Sequence, residues 1–165
     1  MRSTGEVMGI DKDFGMAFAK SQIGSGSKIP TGGSVFVSVK DSDKDKILIP
    51  VSELISLGFQ IYATDGTAEF FNRNNIKAEK INKVLQGSPH IVEMISEKKI
   101  SLVFNTTETP QAIKDSKSIR RSALESETPY YTTVSGANAA VMAIKAIKNN
   151  EMTVETIQSF GESLN

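Results

Sequence analysis

The sequence predicts a Rossmann-like, three-layer α/β fold in which about five parallel strands carry helices on both faces. From Gly33 onward, short β-branched and aromatic runs alternate with amphipathic stretches of helical length, a pattern typical of βαβ units and a parallel sheet. The 165 residues suffice for one core and a short appendage. The chain contains no cysteine, so neither disulfides nor thiolate metal sites are expected to hold this fold together.

The first 31 residues differ in composition from the rest of the chain. Apolar spacing predicts a helix over residues 14–23, with Phe14, Ala17 and Phe18 on one face. The GSGSKIPTGG stretch that follows is typical of a linker. We therefore expect residues 1–31 to form a helix and linker and residues 32–165 to form the main domain. The helix either packs back on that domain or belongs to a neighbouring domain that is missing from this chain.

The first half of the main domain contains two predicted strands, SVFVSV over residues 34–39 and FQIYA over residues 59–63. Pro50 suits the first position of the helix between them, and Gly58 suits the position just after its end. The TAEFFNRN stretch predicts the next helix.

The second half repeats this alternation. A weak extended stretch over residues 76–84 is followed by a helix at HIVEMISEKK, and SLVFN is the clearest buried strand. The remaining predicted elements are a helix over residues 110–124, a strand over 129–133, a helix over 138–148 and a tail helix around 154–160.

Charge and hydropathy exclude several classes of function. The chain has 19 basic and 19 acidic side chains, whereas nucleic-acid binding needs a clustered basic excess. Its single histidine rules out a His-rich metal site. The longest apolar run spans residues 139–144, far short of the roughly 18 residues of a membrane span, and the start lacks the apolar stretch of a signal peptide. We expect a cytoplasmic protein without nucleic-acid or membrane partners.

Polar residues follow the predicted strands, and in open parallel sheets ligands bind beyond the carboxyl ends of the strands. In Thr64-Asp65-Gly66-Thr67, Gly66 permits close backbone approach, and the hydroxyls and helix-opening N–H groups suit a phosphate. Asn105-Thr106-Thr107 offers the same chemistry after the fourth strand. With Lys44 and Lys83, these loops predict one phosphomonoester pocket. The alternative is that Thr67 and Thr107 are only caps or turn residues.

Catalytic signals are weak. The chain has no Walker-type phosphate loop, and His90 follows Pro89 at a helix start, where a lone histidine is expected to make local hydrogen bonds. Arg120-Arg121 is expected to be a solvated pair near a helix end. Tyr130 and Thr132 alternate along a strand, so they share one side of it. A pocket with donors for phosphate but few groups to move protons favours a sensor over an enzyme.

Several short motifs together resemble a known family. In order they are S-T-G-E-V-M-G (3–9), A-T-D-G-T-A (63–68), I-N-K-V (81–84), G-S-P-H-I (87–91), F-N-T-T (104–107), D-S-x-x-I-R-R-S-A-L (115–124) and Y-T-T (131–133). This set resembles the C-terminal regulatory region of carbamoyl-phosphate synthase large subunits, which has the methylglyoxal synthase-like fold. The resemblance covers essentially the whole chain, and the first motif and I-R-R-S-A-L are its most specific parts.

The resemblance implies a domain that binds UMP as an inhibitor and IMP at an overlapping site. The residues implied for this nucleotide site are Ser38, Lys44, Thr64, Thr67, Lys83, Asn105, Thr106, Thr107 and Ser116, to which we add Gly66 from the loop described above. It also implies that the activator ornithine binds between this domain and its catalytic neighbour, with Tyr130 and Thr132 contributing from this side. Asp65 is a departure, because some members have a different polar residue there. A carboxylate beside a phosphate weakens binding unless it points away.

The resemblance further implies a parent enzyme that makes carbamoyl phosphate from glutamine, bicarbonate and ATP, with Mg or Mn, in pyrimidine and arginine biosynthesis. Residues 1–31 then resemble the end of the preceding synthetase domain, and the glutaminase is a separate small subunit. For this chain we expect no catalytic residue, no metal, no cofactor, and self-association. Two alternatives remain: a methylglyoxal synthase-type lyase acting on dihydroxyacetone phosphate, although the first loop lacks a histidine and G-S-P-H lacks an aspartate, or a pure oligomerisation domain.

Overall fold

A computed structural model describes residues 5–82, 87–106 and 110–162, and it confirms the predicted three-layer α/β fold. Within these residues five parallel strands form one sheet in the order β3-β2-β1-β4-β5. The strands are β1 (Ser34–Ser38), β2 (Gln60–Ala63), β3 (Glu79–Lys80), β4 (Leu102–Asn105) and β5 (Tyr130–Tyr131). The helices are α1 (Phe14–Gly24), α2 (Lys44–Ser56), α3 (Asp65–Arg73), α4 (Ile91–Ser96), α5 (Pro110–Glu125), α6 (Val134–Asn149) and α7 (Ile157–Glu162).

Alternation along β1 divides the core between the two faces of the sheet. Val35 and Val37 belong to the apolar cluster formed with α2, α3 and α6, whereas Phe36 belongs to the cluster formed with α4 and α5. All three side chains are fully buried. A strand buried on both faces is read as a continuous apolar run, which is why SVFVSV identified β1 so clearly.

Helix α2 begins at Lys44, so the prediction that Pro50 opens it was wrong. A 3₁₀ turn, Asp41–Asp43, leads into the helix, and Pro50 is buried inside it. An internal proline costs roughly 3 kcal/mol through a lost hydrogen bond and ring clash. Ile47, Val51 and Leu54 are fully buried on one face, and each contributes about 1.5–3 kcal/mol. This apolar face outweighs the cost of the proline.

The two outer strands, β3 and β5, are shorter than predicted. β3 has two residues, although an extended stretch was predicted over 76–84, of which residues 83–84 lie outside the described part. β5 ends at Tyr131, because Thr133 is the N-cap of α6 and accepts a hydrogen bond from Gly136 N at 3.0 Å. The cap starts α6 at Val134, four residues before the predicted start.

Helix α1 packs on α6, but it does so with a different face from the predicted one. Met16 is 4% exposed and Ala19 is fully buried, whereas Phe14 is 57% exposed. A Cβ atom added at Gly15 would lie 2.5 Å from Met142 O, so the two helix backbones approach closely at this glycine. Small residues, and not the phenylalanine rings, therefore set the contact. The domain division at residue 31 stays a prediction.

None of the helices in the described ranges combines the length and the apolar character that crossing a bilayer demands.

Candidate functional site

The carboxyl ends of the central strands lie together at the point where the strand order reverses, between β1 and β4. Ser38 ends β1 and is in register with Asn105, which ends β4. Thr106 N donates to Ser38 O at 3.0 Å, and Lys40 N donates to Thr106 Oγ1 at 3.1 Å. Reversal points of open parallel sheets form ligand-binding crevices. The predicted residues on these strands therefore lie at the expected place for a ligand.

Three hydroxyl groups meet beside this point. Thr64 Oγ1 lies 3.3 Å from both Ser38 Oγ and Thr67 Oγ1. Thr67 Oγ1 also accepts from Val39 N at 3.4 Å. Thr64 and Thr67 are 8% and 2% exposed. We call Ser38, Thr64 and Thr67 the hydroxyl cluster, and it joins the ends of β1 and β2 to the first turn of α3.

The geometry of the hydroxyl cluster argues against the alternative that Thr67 is only a helix cap. Thr64, not Thr67, occupies the N-cap position of α3, and its side chain makes no capping hydrogen bond. Thr67 instead accepts a hydrogen bond from the backbone that follows β1. Asp65 and Gly66 open α3, and the first N–H groups of a helix have no acceptor within the helix. These groups form a donor-rich edge suited to an anion.

Lys44 brings a positive charge to this edge. Its ammonium lies 2.7 Å from Asp41 Oδ1 and 5.8 Å from the centroid of the Phe70 ring. A Cβ atom added at Gly66 would lie 3.7 Å from Lys44 Nζ, so the ammonium adjoins the start of α3. The Lys44 side chain is 19% exposed, whereas that of Asp41 is 93% exposed. A ligand anion can replace this exposed carboxylate as the partner of Lys44.

The carboxylate of Asp65 is paired with Lys80 of β3. Both side chains are about half exposed. The extra negative charge that the sequence puts beside the predicted phosphate site is thus compensated by a cation on the neighbouring strand. This pairing removes the physical objection that an unpaired Asp65 would repel a phosphate.

A second polar group, which we call the Asn105 triad, consists of Asn105, Ser116 and Tyr130. Asn105 Nδ2 donates to Ser116 Oγ at 3.0 Å and to Tyr130 Oη at 2.7 Å, and the two hydroxyl oxygens are 2.9 Å apart. Asn105 and Ser116 are 3% and 8% exposed. Tyr130, predicted on the interdomain side with Thr132, therefore also reaches two residues of the predicted nucleotide site.

Tyr130 and Thr132 line the same cleft, of about 520 Å³, between β5, α5 and the turn after α1. Arg120 also lines it, and its guanidinium lies 5.4 Å from the centroid of the Tyr130 ring. The prediction of a solvated arginine pair describes Arg121, which pairs with Glu125 at 2.9 Å, but misses this stacking. The sequence did contain a signal for this position. Arg120 follows Ser116, a predicted site residue, by one helical turn, so the two residues lie on the same face of α5.

Lys83 and Thr107 lie outside the described residues, so the structure gives them no position. Of the other residues predicted for the nucleotide site, Ser38, Thr64 and Thr67 form the hydroxyl cluster, and Lys44 lies beside Gly66 at the adjoining start of α3. Asn105 and Ser116 form the triad, and Thr106 lies between the two groups.

His90 has the local role predicted for it. It caps α4: Nδ1 accepts from Glu93 N at 3.4 Å, and Glu93 Oε2 accepts from His90 N at 2.9 Å. The His90 backbone N–H and the Ser88 hydroxyl, which both donate to Glu93, lower the pKa of its carboxyl group. This reciprocal capping box satisfies two backbone donors at the helix start.

The fold and the site define an open parallel α/β domain with a group of polar side chains and a cationic side chain at its reversal point, where such sheets bind ligands. The family model described as MGS-like domain matches residues 46–132. The chain belongs to the MGS-like domain family.

Curated relatives extend this result to nearly the whole chain. The chain is 50% identical over 163 residues to the carbamoyl phosphate synthase large chain of Brucella suis biovar 1. It is 52% identical over 160 residues to the carbamoyl phosphate synthase large chain of Mesorhizobium japonicum. These matches cover 99% and 97% of this chain but 14% of each relative. The chain therefore corresponds to about one seventh of the length of these relatives.

A solved structure supports the fold. The crystal structure of methylglyoxal synthase from Elizabethkingia anophelis NUHP1 matches with a TM-score of 0.55, covering 70% of this chain and 80% of that one. The two sequences are 16% identical. This likeness confirms the architecture and carries no statement about activity.

Proposed function

We propose that this chain is a regulatory domain of a carbamoyl phosphate synthase large chain that binds a nucleoside monophosphate, UMP as inhibitor and IMP at an overlapping site. The observation that carries the proposal is that the hydroxyl cluster, the start of α3 and Lys44 lie together at the reversal point of the sheet. The close relatives named carbamoyl phosphate synthase large chain supply the parent.

The phosphate is proposed to bind at the hydroxyl cluster. Hydroxyl and backbone N–H groups there donate hydrogen bonds, and the Lys44 ammonium exchanges Asp41 for a phosphate oxygen. Lys83 and Thr107 remain predicted contributors to this site. One or two ammonium groups match one phosphate monoester and are too few for a polyanion, in keeping with the equal numbers of acidic and basic residues.

In this proposal the domain itself is non-catalytic. The parent is a glutamine-hydrolysing, ATP-dependent ligase of pyrimidine and arginine biosynthesis in the cytoplasm, using Mg or Mn outside this chain. Its preceding synthetase domains, its glutaminase small subunit and further copies of the chain are the proposed partners. Coupling free energies of about 1–3 kcal/mol are typical of allosteric proteins. A modest difference in the contacts that the nucleotide makes in two states is therefore sufficient for regulation.

Ornithine is proposed to bind in the cleft that contains Tyr130 and Thr132. The opposite wall and the acidic contacts would come from the neighbouring synthetase domain. Calorimetry of the isolated chain should therefore give weak or no ornithine binding, and full affinity in this chain alone would contradict the interdomain location.

Calorimetric titration of UMP and IMP into the chain tests the nucleotide proposal. We expect saturable binding of both and competition between them. Uridine, which lacks the phosphate, is the matched control and should bind much more weakly. Absence of UMP and IMP binding at millimolar concentration would reject effector binding without affecting the fold.

Two further assays separate the alternatives. A methylglyoxal synthase-type lyase would release methylglyoxal from dihydroxyacetone phosphate, and appreciable turnover would overturn the regulatory proposal. A pure oligomerisation domain would self-associate to the same extent with and without UMP, which light scattering measures.

A further inference from the structure

The Asn105 triad uses both hydrogens of the Asn105 amide. Nδ2 donates to Ser116 Oγ at 3.0 Å and to Tyr130 Oη at 2.7 Å, and a carboxamide nitrogen carries only two hydrogens. Asn105 and Ser116 are almost completely buried, so these hydrogen bonds fix the orientation of the amide. Among the residues that the structure describes, the carbonyl oxygen Oδ1 is the part of the amide left for a ligand.

Counting the hydrogens of the triad shows which donors and acceptors it can offer to a ligand. Ser116 and Tyr130 each accept one hydrogen from Asn105, and their oxygens lie 2.9 Å apart, so one hydroxyl donates to the other. One hydroxyl hydrogen is then left over. Within the described part of the chain, the triad therefore presents one acceptor, Asn105 Oδ1, and one O–H donor.

This pattern does not suit a phosphate. The oxygens of a phosphate dianion only accept hydrogen bonds, so Asn105 Oδ1 would face them as a second acceptor. A neutral group with a donor and an acceptor, such as a ribose hydroxyl or the N–H and C=O edge of a base, matches the triad. The hydroxyl cluster, with Lys44 close by, has the opposite character.

We infer that Tyr130 is a positioning residue for the nucleotide site, and this inference rests on the proposed function. Its hydroxyl holds the Asn105 amide so that the β4 end of the crevice takes the nucleoside part of the ligand, while the phosphate binds at the hydroxyl cluster. The ring that carries this hydroxyl packs with the apolar cluster around Phe36 and lies beneath Arg120.

The test compares two ligands and two adjacent tyrosines. Tyr130→Phe removes the hydroxyl that orients Asn105. Tyr131→Phe is the matched control, because Tyr131 packs on the opposite face of the sheet and its hydroxyl donates to Gln22 Oε1 at 3.2 Å. Calorimetry is performed with UMP and, separately, with inorganic phosphate.

We expect Tyr130→Phe to weaken UMP binding about fivefold, the typical effect of one hydrogen bond. Inorganic phosphate should bind within twofold of the original affinity, and Tyr131→Phe should change neither ligand. Unchanged UMP binding in Tyr130→Phe, or an equal loss for UMP and phosphate, would overturn the inference.

A ligand-free measurement separates failure of this inference from failure of the proposed function. The side-chain amide resonances of Asn105, assigned through Asn105→Asp, should shift and exchange faster in Tyr130→Phe and stay unchanged in Tyr131→Phe. Unshifted Asn105 resonances in Tyr130→Phe would overturn the positioning role whether or not nucleotides bind. A chain that binds neither UMP nor phosphate would count against the proposed function alone.

Discussion

At the scale of single residues, the crevice depends on a few side chains whose partners the structure identifies. Lys44 Nζ is held between the exposed Asp41 carboxylate and the face of Phe70. Burial of its long aliphatic stem keeps the ammonium beside Gly66. The position of this charge, more than its presence, distinguishes Lys44 from Lys46, the other lysine of α2.

Lys44→Gln should weaken UMP binding at least tenfold, because a charge-assisted hydrogen bond contributes about 1.5–3 kcal/mol. Lys46→Gln is the matched control: it removes the same formal charge from the same helix, but Lys46 is 67% exposed and lies 3.9 Å from Asp43. Calorimetry with UMP compares the two variants. Equal losses would mean that net charge, and not a local contact, drives binding.

Most of the crevice was predictable because its residues follow apolar strand runs, as Thr64 follows β2 and Asn105 ends β4. The hydrogen bond between Tyr130 and Asn105 was not predictable, since it depends on the register between β4 and β5. Tyr130 is in register with Val103, two residues before Asn105 and therefore on the same face of the sheet. β5 contains only two residues, too few for its sequence to specify this register.

At the scale of secondary-structure elements, capping and small residues set boundaries that hydrophobic periodicity leaves open. Because Thr133 caps α6, this helix begins earlier than its apolar pattern indicated. Because one face of α2 is buried, this helix continues past Pro50. For α1, apolar spacing identified the helix but selected the wrong face. Close approach at Gly15 decided the face, and a contact with a distant segment leaves no periodic signal in the sequence.

The capping box of α4 should respond to acid. The pKa of Glu93 is lowered in the folded chain by hydrogen bonds from the His90 backbone and from Ser88. Its contribution is therefore present above the ordinary pKa of glutamate and is lost as the pH falls through the lower, folded value. NMR titration should give a Glu93 pKa below 4.5, its ordinary value.

Glu93→Gln serves as the control for this acid response, because glutamine keeps an acceptor oxygen but does not titrate. Hydrogen exchange of the His90 amide, which donates to the Glu93 carboxylate, should depend on acid more strongly in the original chain than in the variant, after correction for intrinsic rates. The same acid dependence in both chains would show that another group is responsible.

Gly15→Ala should destabilise the contact between α1 and α6 by roughly 1–3 kcal/mol, the usual cost of overpacking. The new Cβ would meet the backbone carbonyl of Met142 at 2.5 Å, and a backbone atom cannot rotate away. Gly32→Ala is the control, since its Cβ would have no neighbour within 4 Å. Urea unfolding measures both, and equal midpoints would contradict the close approach.

At the scale of the whole molecule, α1 packs against α6, even though a linker separates α1 from the sheet in the sequence. Met16 and Ala19 of α1 lose their burial if α1 separates from α6, and part of the alanine-rich face of α6 becomes exposed. The tail from Glu151 to Ser159 is exposed throughout. The two ends of the chain therefore differ in their importance for stability.

Removal of residues 1–24 should lower the melting temperature by several degrees, since burial of Met16 alone is worth about 1.5–3 kcal/mol. Truncation after Asn150 is the matched control and should change it little. Thermal unfolding followed by circular dichroism compares the two. Equal melting temperatures for the original chain and the first truncation would show that α1 does not stabilise the domain.

The crevice is assembled from segments that are distant in the chain: Ser38 from β1, Thr64 and Thr67 around the start of α3, and Asn105 from β4. An unfolded chain contains no such arrangement, so any ligand held there binds only the native state. A ligand at 100 times its dissociation constant then adds about 2.7 kcal/mol to the free energy of unfolding. Under the proposed function, an effector thus lengthens the lifetime of the folded chain, because the concentration that occupies the site also protects the chain from unfolding and proteolysis.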